Sequence, residues 1–170
     1  AELAGCRREE VFVASTGVIG VVLPDEKVRA FLPDALARLS AGGLEAVSRA
    51  ILTTDAAPKV ARAAFRHGDR ACQVVGFAKG AGMIHPNMAT MLAFVTTDAA
   101  ASPSFLAAAL KEAVDGSFNA ISVDGDTSTN DTVLLLASGA AGGPELRELD
   151  GAEAFRGALG TKVALTRGRK

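Results

Sequence analysis

The stretch AKGAGMIHPNMATMLAF, from Ala78 to Phe94, decides how the middle of the chain is interpreted. It begins as a glycine-rich loop and ends as an apolar run, with Thr90 at the boundary between them. Glycine permits the tight backbone conformations that such a loop needs, and a short apolar run after a loop is typical of a buried strand. The pattern predicts a strand directly after Thr90 and raises the question of whether this hydroxyl does chemistry.

Strands and helices are predicted on both sides of this stretch. Before it, we expect a buried strand at Val11 to Ser15, helices from Asp25 to about Leu39 (with a kink or break at Pro33) and from Leu44 to Leu52, and a β-hairpin of residues 59–65 and 72–77 around the turn HGDR. After it, we expect a helix from Ser102-Pro103 to about Val114, a buried strand in TVLLLASG, and a helix from about Gly151. This mixture predicts an α/β or α+β layered fold.

Composition restricts the class of protein. The 170 residues fit a single domain, 1–170, and 18 Lys and Arg against 19 Asp and Glu give no excess charge for a nucleic-acid partner. No run approaches the about 20 apolar residues that span a bilayer. Cys6 and Cys72 lack the spacing of a zinc site or a disulfide framework, which favours a reduced setting. We therefore expect a cytoplasmic protein that binds neither membrane nor metal.

Thr90 could act as a nucleophile by one known route. A threonine becomes reactive when the chain is cut just before it, because its new α-amine, with a pKa of about 7.7–8.0, then serves as the base. The two histidines, His67 and His85, are interpreted as surface turn residues, so a Ser-His-Asp arrangement is not expected. Ala89 is small enough to allow the cut. These features alone leave open whether Thr90 is catalytic.

Four segments together resemble one family, the ornithine acetyltransferases, also called bifunctional glutamate N-acetyltransferases, of arginine biosynthesis. They occur in the family's order and at compatible separations. The segments are ASTGVIG (Ala14 to Gly20), AILTTDAAPK (Ala50 to Lys59), AKGAGMIHPNMATMLAFVTTDA (Ala78 to Ala99) and FNAISVDGDTSTNDTVLLLASG (Phe118 to Gly139). The resemblance implies an ornithine-acetyltransferase-like fold in which β-sheets are sandwiched between helices.

The resemblance also implies a mechanism. The precursor would cleave itself between Ala89 and Thr90, giving residues 1–89 and 90–170, and Thr90 would become the nucleophile of the second piece. Thr90 would carry an acetyl group from N-acetylornithine to glutamate in a ping-pong reaction. No metal or organic cofactor is implied, and acetyl-CoA would be a donor only if the parent is bifunctional. Two processed chains would assemble into a heterotetramer.

Four further residues take roles from the resemblance. Thr16 and Gly17 match the pair that supplies hydrogen-bond donors to the negative oxygen of the tetrahedral intermediate. Thr53 and Lys79 match positions that contact substrate, and an ammonium beside a glycine loop is suited to orienting a substrate carboxylate.

The resemblance covers residues 11–139, and members of the family are much longer. We therefore expect a fragment, truncated at both ends, without the Asp-Gly-Glu-Gly-type motif that helps to close the family's substrate pocket. An inactive piece that keeps only the fold around Thr90 is the alternative.

The stretch ISVDGDTS also resembles the opening motif of a different enzyme class, the haloacid-dehalogenase-type phosphatases. Asp124 would be the nucleophile and Asp126 the acid in a magnesium-dependent hydrolysis. Only 39 residues follow Asp131, which is too few for the remaining layers of that fold. The polar stretch Asp124 to Asp131 is better interpreted as a loop that supports the site from behind, with no direct chemical role assigned.

Overall fold

A computed structural model describes residues 1–18, 20–80, 91–120, 128–149 and 152–166. Six residues named above lie outside this description: His85, Ala89, Thr90, Asp124, Asp126 and Gly151. Thr16, Gly17, Thr53, Lys79 and Asp131 lie within it.

A four-stranded sheet forms the centre of the described chain, with the strands in sequence order. The first three strands are antiparallel, and the fourth is parallel to the third because the connection between them contains a helix. The strands are β1 (Lys59–His67), β2 (Arg70–Lys79), β3 (Leu92–Thr97) and β4 (Thr132–Ala137), and the helices are α1 (Asp25–Ala37), α2 (Leu44–Ala50), α3 (Pro103–Asp115) and α4 (Glu153–Thr166). The predicted mixture of strands and helices is confirmed.

The hairpin of β1 and β2 forms where the sequence predicts it. His67 pairs with Arg70 across a two-residue turn, in which Gly68 has a φ of 55°, a conformation that favours glycine. The antiparallel register continues to Lys59 opposite Ala78. Side chains alternate between the two faces of a sheet, so this register decides which residues enter the core.

Helices α3 and α4 pack on one face of the sheet. Phe155 of α4 lies edge-on to Phe65 of β1, with ring centroids 5.5 Å apart, and tilted against Phe105 of α3 at 5.2 Å. Val74 and Leu159 are buried beside them. Each such side chain contributes about 1.5–3 kcal/mol when fully buried, so these aromatic contacts hold the two helices to the strands.

The opposite face of the sheet is partly exposed. Phe77 of β2 stacks on Phe94 of β3 at 5.1 Å, and Val60 and Leu136 flank them with about two fifths of their surfaces accessible. The predicted sandwich, with helices on both faces, is therefore not established by the described residues. It stays a prediction.

The start of α3 follows the predicted signal. The Ser102 hydroxyl accepts a hydrogen bond from the Phe105 N–H at 3.2 Å, and Pro103 occupies the first helical position, where its missing N–H costs nothing. This helix carries the chain from the end of β3 back to the start of β4. It thereby sets the parallel pairing of these two strands.

Three predictions are corrected. Val11 to Ser15 is not a strand in the structure; Val13 is 81% exposed, and no described strand pairs with the segment, so nothing stabilises an extended ladder there. The predicted break at Pro33 does not occur, since α1 continues through it to Ala37, and the alternative of a kink stays a prediction. Strand β4, predicted to be buried, is partly exposed along both faces, because it is the edge strand of the described sheet. Among the described residues, no helix has the length and apolar character needed to cross a bilayer.

Candidate active site

The candidate site lies at the end of the sheet where β2 stops and β3 and β4 begin. Lys79, the last residue of β2, is opposite Leu92, the first residue of β3, and Leu92 is opposite Thr132, the first residue of β4. β1 also begins at this end. The chain therefore leaves β2 and enters β3 at the same end of the sheet, and Met91 lies between Thr90 and the first residue of β3.

Lys79 is buried here, with 4% of its surface exposed. Its Nζ lies 3.4 Å from the Oγ1 of Thr53, which is a long hydrogen bond. The structure thus brings together the two residues predicted to contact substrate. An ammonium removed from water is costly unless opposite charges compensate for it, and two carboxylates lie close enough to act on Lys79.

The first carboxylate belongs to Asp55, whose side chain is fully buried. It accepts hydrogen bonds from the Gly80 N–H at 2.9 Å and from the Lys59 ammonium, which also donates to the Gly80 carbonyl at 3.0 Å. Burial by itself raises the pKa of Asp55, but these hydrogen bonds and the charges of Lys59 and Lys79 outweigh it. They hold the pKa of this carboxyl below its ordinary value.

The second carboxylate belongs to Asp131. Its Oδ1 accepts the N–H of Met91 at 2.6 Å, and the N–H of the next residue, Thr132, donates to the Met91 carbonyl at 2.9 Å. Burial raises the pKa of Asp131, although the hydrogen bond from Met91 and the charge of Lys79 partly offset this effect. Met91 is therefore held on both sides by consecutive residues of the chain entering β4.

Among the described residues, this end of the sheet carries two ammonium groups and two carboxylates. Lys59 and Lys79 act on Asp55, and Lys79 acts on Asp131. The Oδ2 atom of each carboxylate is buried and has no hydrogen-bond partner among the described residues. Each carboxylate can therefore accept a further hydrogen bond.

Thr16 and Gly17 are not joined to this arrangement by any hydrogen bond among the described residues. Thr16 is half-buried and Gly17 is exposed, in a segment without regular secondary structure. Within the described residues, neither forms a hydrogen bond with Thr53 or Lys79. A Cβ added at Gly17 would meet no atom of the described residues within 4 Å, so these residues place no steric demand for glycine there. Their predicted role as donors to a reacting oxygen stays a prediction.

Asp55 and Lys59 were not singled out by the sequence analysis, although both lie in the stretch AILTTDAAPK. The local feature that could have indicated this ion pair is the presence of an acidic and a basic residue four positions apart. Their importance depends on Gly80, which is 21 residues beyond Lys59 in sequence and binds both side chains. That contact cannot be read from local spacing.

In the part of the chain that the structure describes, no three His, Cys, Asp or Glu side chains are grouped closely enough to hold a metal ion.

A groove of about 270 Å³ lies at the opposite end of the sheet, lined by Val75, Thr97, Asp98 and Leu136 among others. Of the predicted site residues that the structure describes, none lines it.

Comparison with known proteins identifies the family. The model of the ArgJ family matches residues 1–165. The chain is 52% identical over 148 residues to the arginine biosynthesis bifunctional protein ArgJ of Geobacter sulfurreducens, 56% over 146 residues to that of Symbiobacterium thermophilum, and 50% over 165 residues to that of Methylococcus capsulatus. These alignments cover 87%, 86% and 96% of this chain but only 38%, 36% and 40% of the relatives. The chain spans about two fifths of the length of its relatives and belongs to the ArgJ family.

Proposed function

We propose that this chain is part of a glutamate N-acetyltransferase that moves an acetyl group from N-acetylornithine to glutamate through Thr90. The observation that carries the proposal is the contact between Lys79 and Thr53 at the sheet end from which β3 begins, next to Met91. Because Met91 follows Thr90 in the chain, Thr90 is tied to this end of the sheet by its own peptide bond. The family membership, and the relatives' name of arginine biosynthesis bifunctional protein, support an enzyme of arginine biosynthesis, to which this reaction belongs in the proposal.

The first proposed step activates the nucleophile. The Thr90 hydroxyl oxygen attacks the Ala89 carbonyl carbon, and the peptide C–N bond breaks. The acyl group of Ala89 moves to the oxygen as an ester, while the hydroxyl proton passes to the nitrogen, which becomes an α-amine. Water then hydrolyses the ester, which leaves a carboxylate on Ala89 and restores the Thr90 hydroxyl.

The second proposed step transfers the acetyl group. The α-amine of Thr90 accepts the hydroxyl proton while the oxygen attacks the acetyl carbonyl of N-acetylornithine, and ornithine leaves with that proton on its nitrogen. The amine of glutamate then attacks the threonine ester, N-acetylglutamate leaves, and a proton returns to the Thr90 oxygen. Lys79 orients the substrate carboxylate, and Thr53 supports it. Thr16 and Gly17 stabilise the tetrahedral oxygen, where loss of a donor typically costs about 10²–10³ in rate.

Several expectations about the whole protein accompany this proposal. The reaction as written uses no metal or organic cofactor, and acetyl-CoA is an additional donor if the bifunctionality in the relatives' names extends to this chain. We also propose the cytoplasm as its location, a sandwich of sheets between helices as the fold of the whole protein, and a heterotetramer of processed chains.

Intact-mass analysis under denaturing conditions tests the first step. The purified protein is expected to give two species, residues 1–89 and 90–170, and Thr90→Ala is expected to give one uncut species. Thr96→Ala is the matched control, because Thr96 is an exposed threonine on β3 and should not affect the cut. Cleavage of Thr90→Ala at the wild-type rate would refute Thr90 as the nucleophile.

Acetyl transfer from N-acetylornithine to glutamate tests the second step. The second candidate is an inactive piece that keeps the fold around Thr90. Cleavage without transfer would support this alternative. The phosphatase interpretation of Asp124 and Asp126 is removed by the family membership.

A further inference from the structure

We propose that Asp131 is a positioning residue for Thr90, because its carboxylate holds the N–H of the Thr90–Met91 peptide bond and so fixes the main chain on one side of the bond to be cut. This inference rests on the proposed function. It gives a specific role to a residue that the sequence analysis assigned only to a supporting loop.

The geometry ties Asp131 to the nucleophile directly. The nitrogen of Met91, which Asp131 Oδ1 contacts at 2.6 Å, is bonded to the carbonyl carbon of Thr90. Three covalent bonds separate this nitrogen from the nitrogen of Thr90, the atom that would become the α-amine. Asp131 therefore binds the peptide group that directly follows the proposed nucleophile.

The contact replaces a main-chain bond with a side-chain bond at the start of the parallel pair. The carbonyl of Asn130, the residue just before Asp131, accepts a hydrogen bond from the Thr132 hydroxyl at 3.1 Å. The Met91 N–H is instead taken by the Asp131 carboxylate, while the Met91 carbonyl is bound by the Thr132 N–H. A hydrogen bond to an ionised group is stronger than one between neutral groups, so Met91 is held more firmly than an ordinary ladder residue.

The burial of this carboxylate indicates more than a structural cap. Its second oxygen is buried without a hydrogen-bond partner among the described residues, and burial disfavours its charge. The hydrogen bond from the Met91 N–H is the larger effect that offsets this burial, and the charge of Lys79 acts in the same direction. Asp131 therefore holds the backbone next to the nucleophile at the same end of the sheet as Lys79.

Two substitutions that nearly preserve the shape of the Asp131 side chain distinguish the loss of its hydrogen-bond acceptor from a change in its volume. Asp131→Asn keeps an oxygen that can accept from Met91, whereas Asp131→Leu has no acceptor. Self-cleavage of the complete 170-residue chain is followed over time by intact mass. We expect Asp131→Asn to cleave within about threefold of the wild-type rate. Asp131→Leu should be slower by about 10–100-fold, as expected when reacting groups lose alignment.

Asp98→Leu is the matched control for general destabilisation. Asp98 accepts a backbone hydrogen bond from the Gln73 N–H at 2.7 Å, at the opposite end of the sheet. Its replacement removes the same kind of bond, so it should lower the thermal midpoint by a similar amount. It should leave the cleavage rate unchanged.

The outcomes are distinct. The inference is overturned if Asp131→Leu cleaves at the wild-type rate, if Asp98→Leu is slowed as much, or if Asp131→Asn is as slow as Asp131→Leu. A wild-type chain that never cleaves would refute the proposed function itself, and this inference with it. If Asp131→Leu does not fold, hydrogen exchange decides. Slow exchange of the Met91 amide in both wild type and Asp131→Asn supports the hydrogen bond, and fast exchange in the wild type overturns it.

Discussion

Replacing Asp55 with asparagine should destabilise the protein by about 3 kcal/mol, because the change leaves Lys59 buried without its counter-charge. Removing one partner of a buried ion pair typically costs about 3–5 kcal/mol. The lower end applies here, since Lys59 is 18% exposed and keeps the Gly80 carbonyl as an acceptor at 3.0 Å. Asparagine has nearly the same shape and can still accept a hydrogen bond from the Gly80 N–H, so the loss of stability is attributed to the removed charge.

The control is a pair with the same spacing but different burial. Glu45 and Arg49 are also four residues apart, with side chains 79% and 65% exposed. Glu45→Gln should therefore change stability by no more than about 0.5 kcal/mol. In thermal unfolding, the expected loss for Asp55→Asn corresponds to a decrease in Tm of about 6–12 °C for a chain of this length. Equal decreases for the two variants would refute the assignment of Asp55 as a buried, charge-paired residue.

The pH dependence gives a second check on Asp55. Its pKa is lowered in the folded protein from an ordinary value of 3.8, so its contribution to stability is fully present above that value. The contribution is lost as the pH falls through the lowered pKa. The stability difference between wild type and Asp55→Asn should therefore be constant near neutral pH and should shrink below about pH 4. The pKa of Asp131 is raised, which has the opposite effect, but Asp131 is present in both proteins and cancels from the difference.

Two further substitutions test the core and the proposed substrate contact. Phe155→Ala should cost about 3–5 kcal/mol in denaturant unfolding, because the ring is 1% exposed. Phe31→Ala, at a ring that is 70% exposed, should change stability by less than about 0.5 kcal/mol, and a comparable loss at both positions would contradict the packing described. Lys79→Met should raise the KM for glutamate in the acetyl-transfer assay by about 10-fold or more, through loss of a charged hydrogen bond. Lys111→Met, at an exposed lysine of α3, should leave the KM unchanged, and an unchanged KM in Lys79→Met would remove this lysine from substrate binding.

Local signals predicted the parts of the fold that depend on neighbouring residues. The hairpin around Gly68 and the start of α3 at Ser102 were predictable because the turn and the cap are made within a few residues. The segment Val11 to Ser15 was not, because an apolar run indicates a capacity to pair and cannot supply a partner strand. Likewise, Thr53 and Lys79 were proposed from the resemblance, whereas the roles of Asp55 and Asp131 became visible only when the ends of separate strands were brought together.

The antiparallel pairing of β2 and β3 has a consequence for the products of cleavage. A cut between Ala89 and Thr90 would fall in the connection between these strands, while six residue pairs and the stacked rings of Phe77 and Phe94 would still join them. Phe155, on the later piece, would also keep its contact with Phe65 on the earlier one. The severed halves should consequently co-migrate through native purification and come apart only in denaturant.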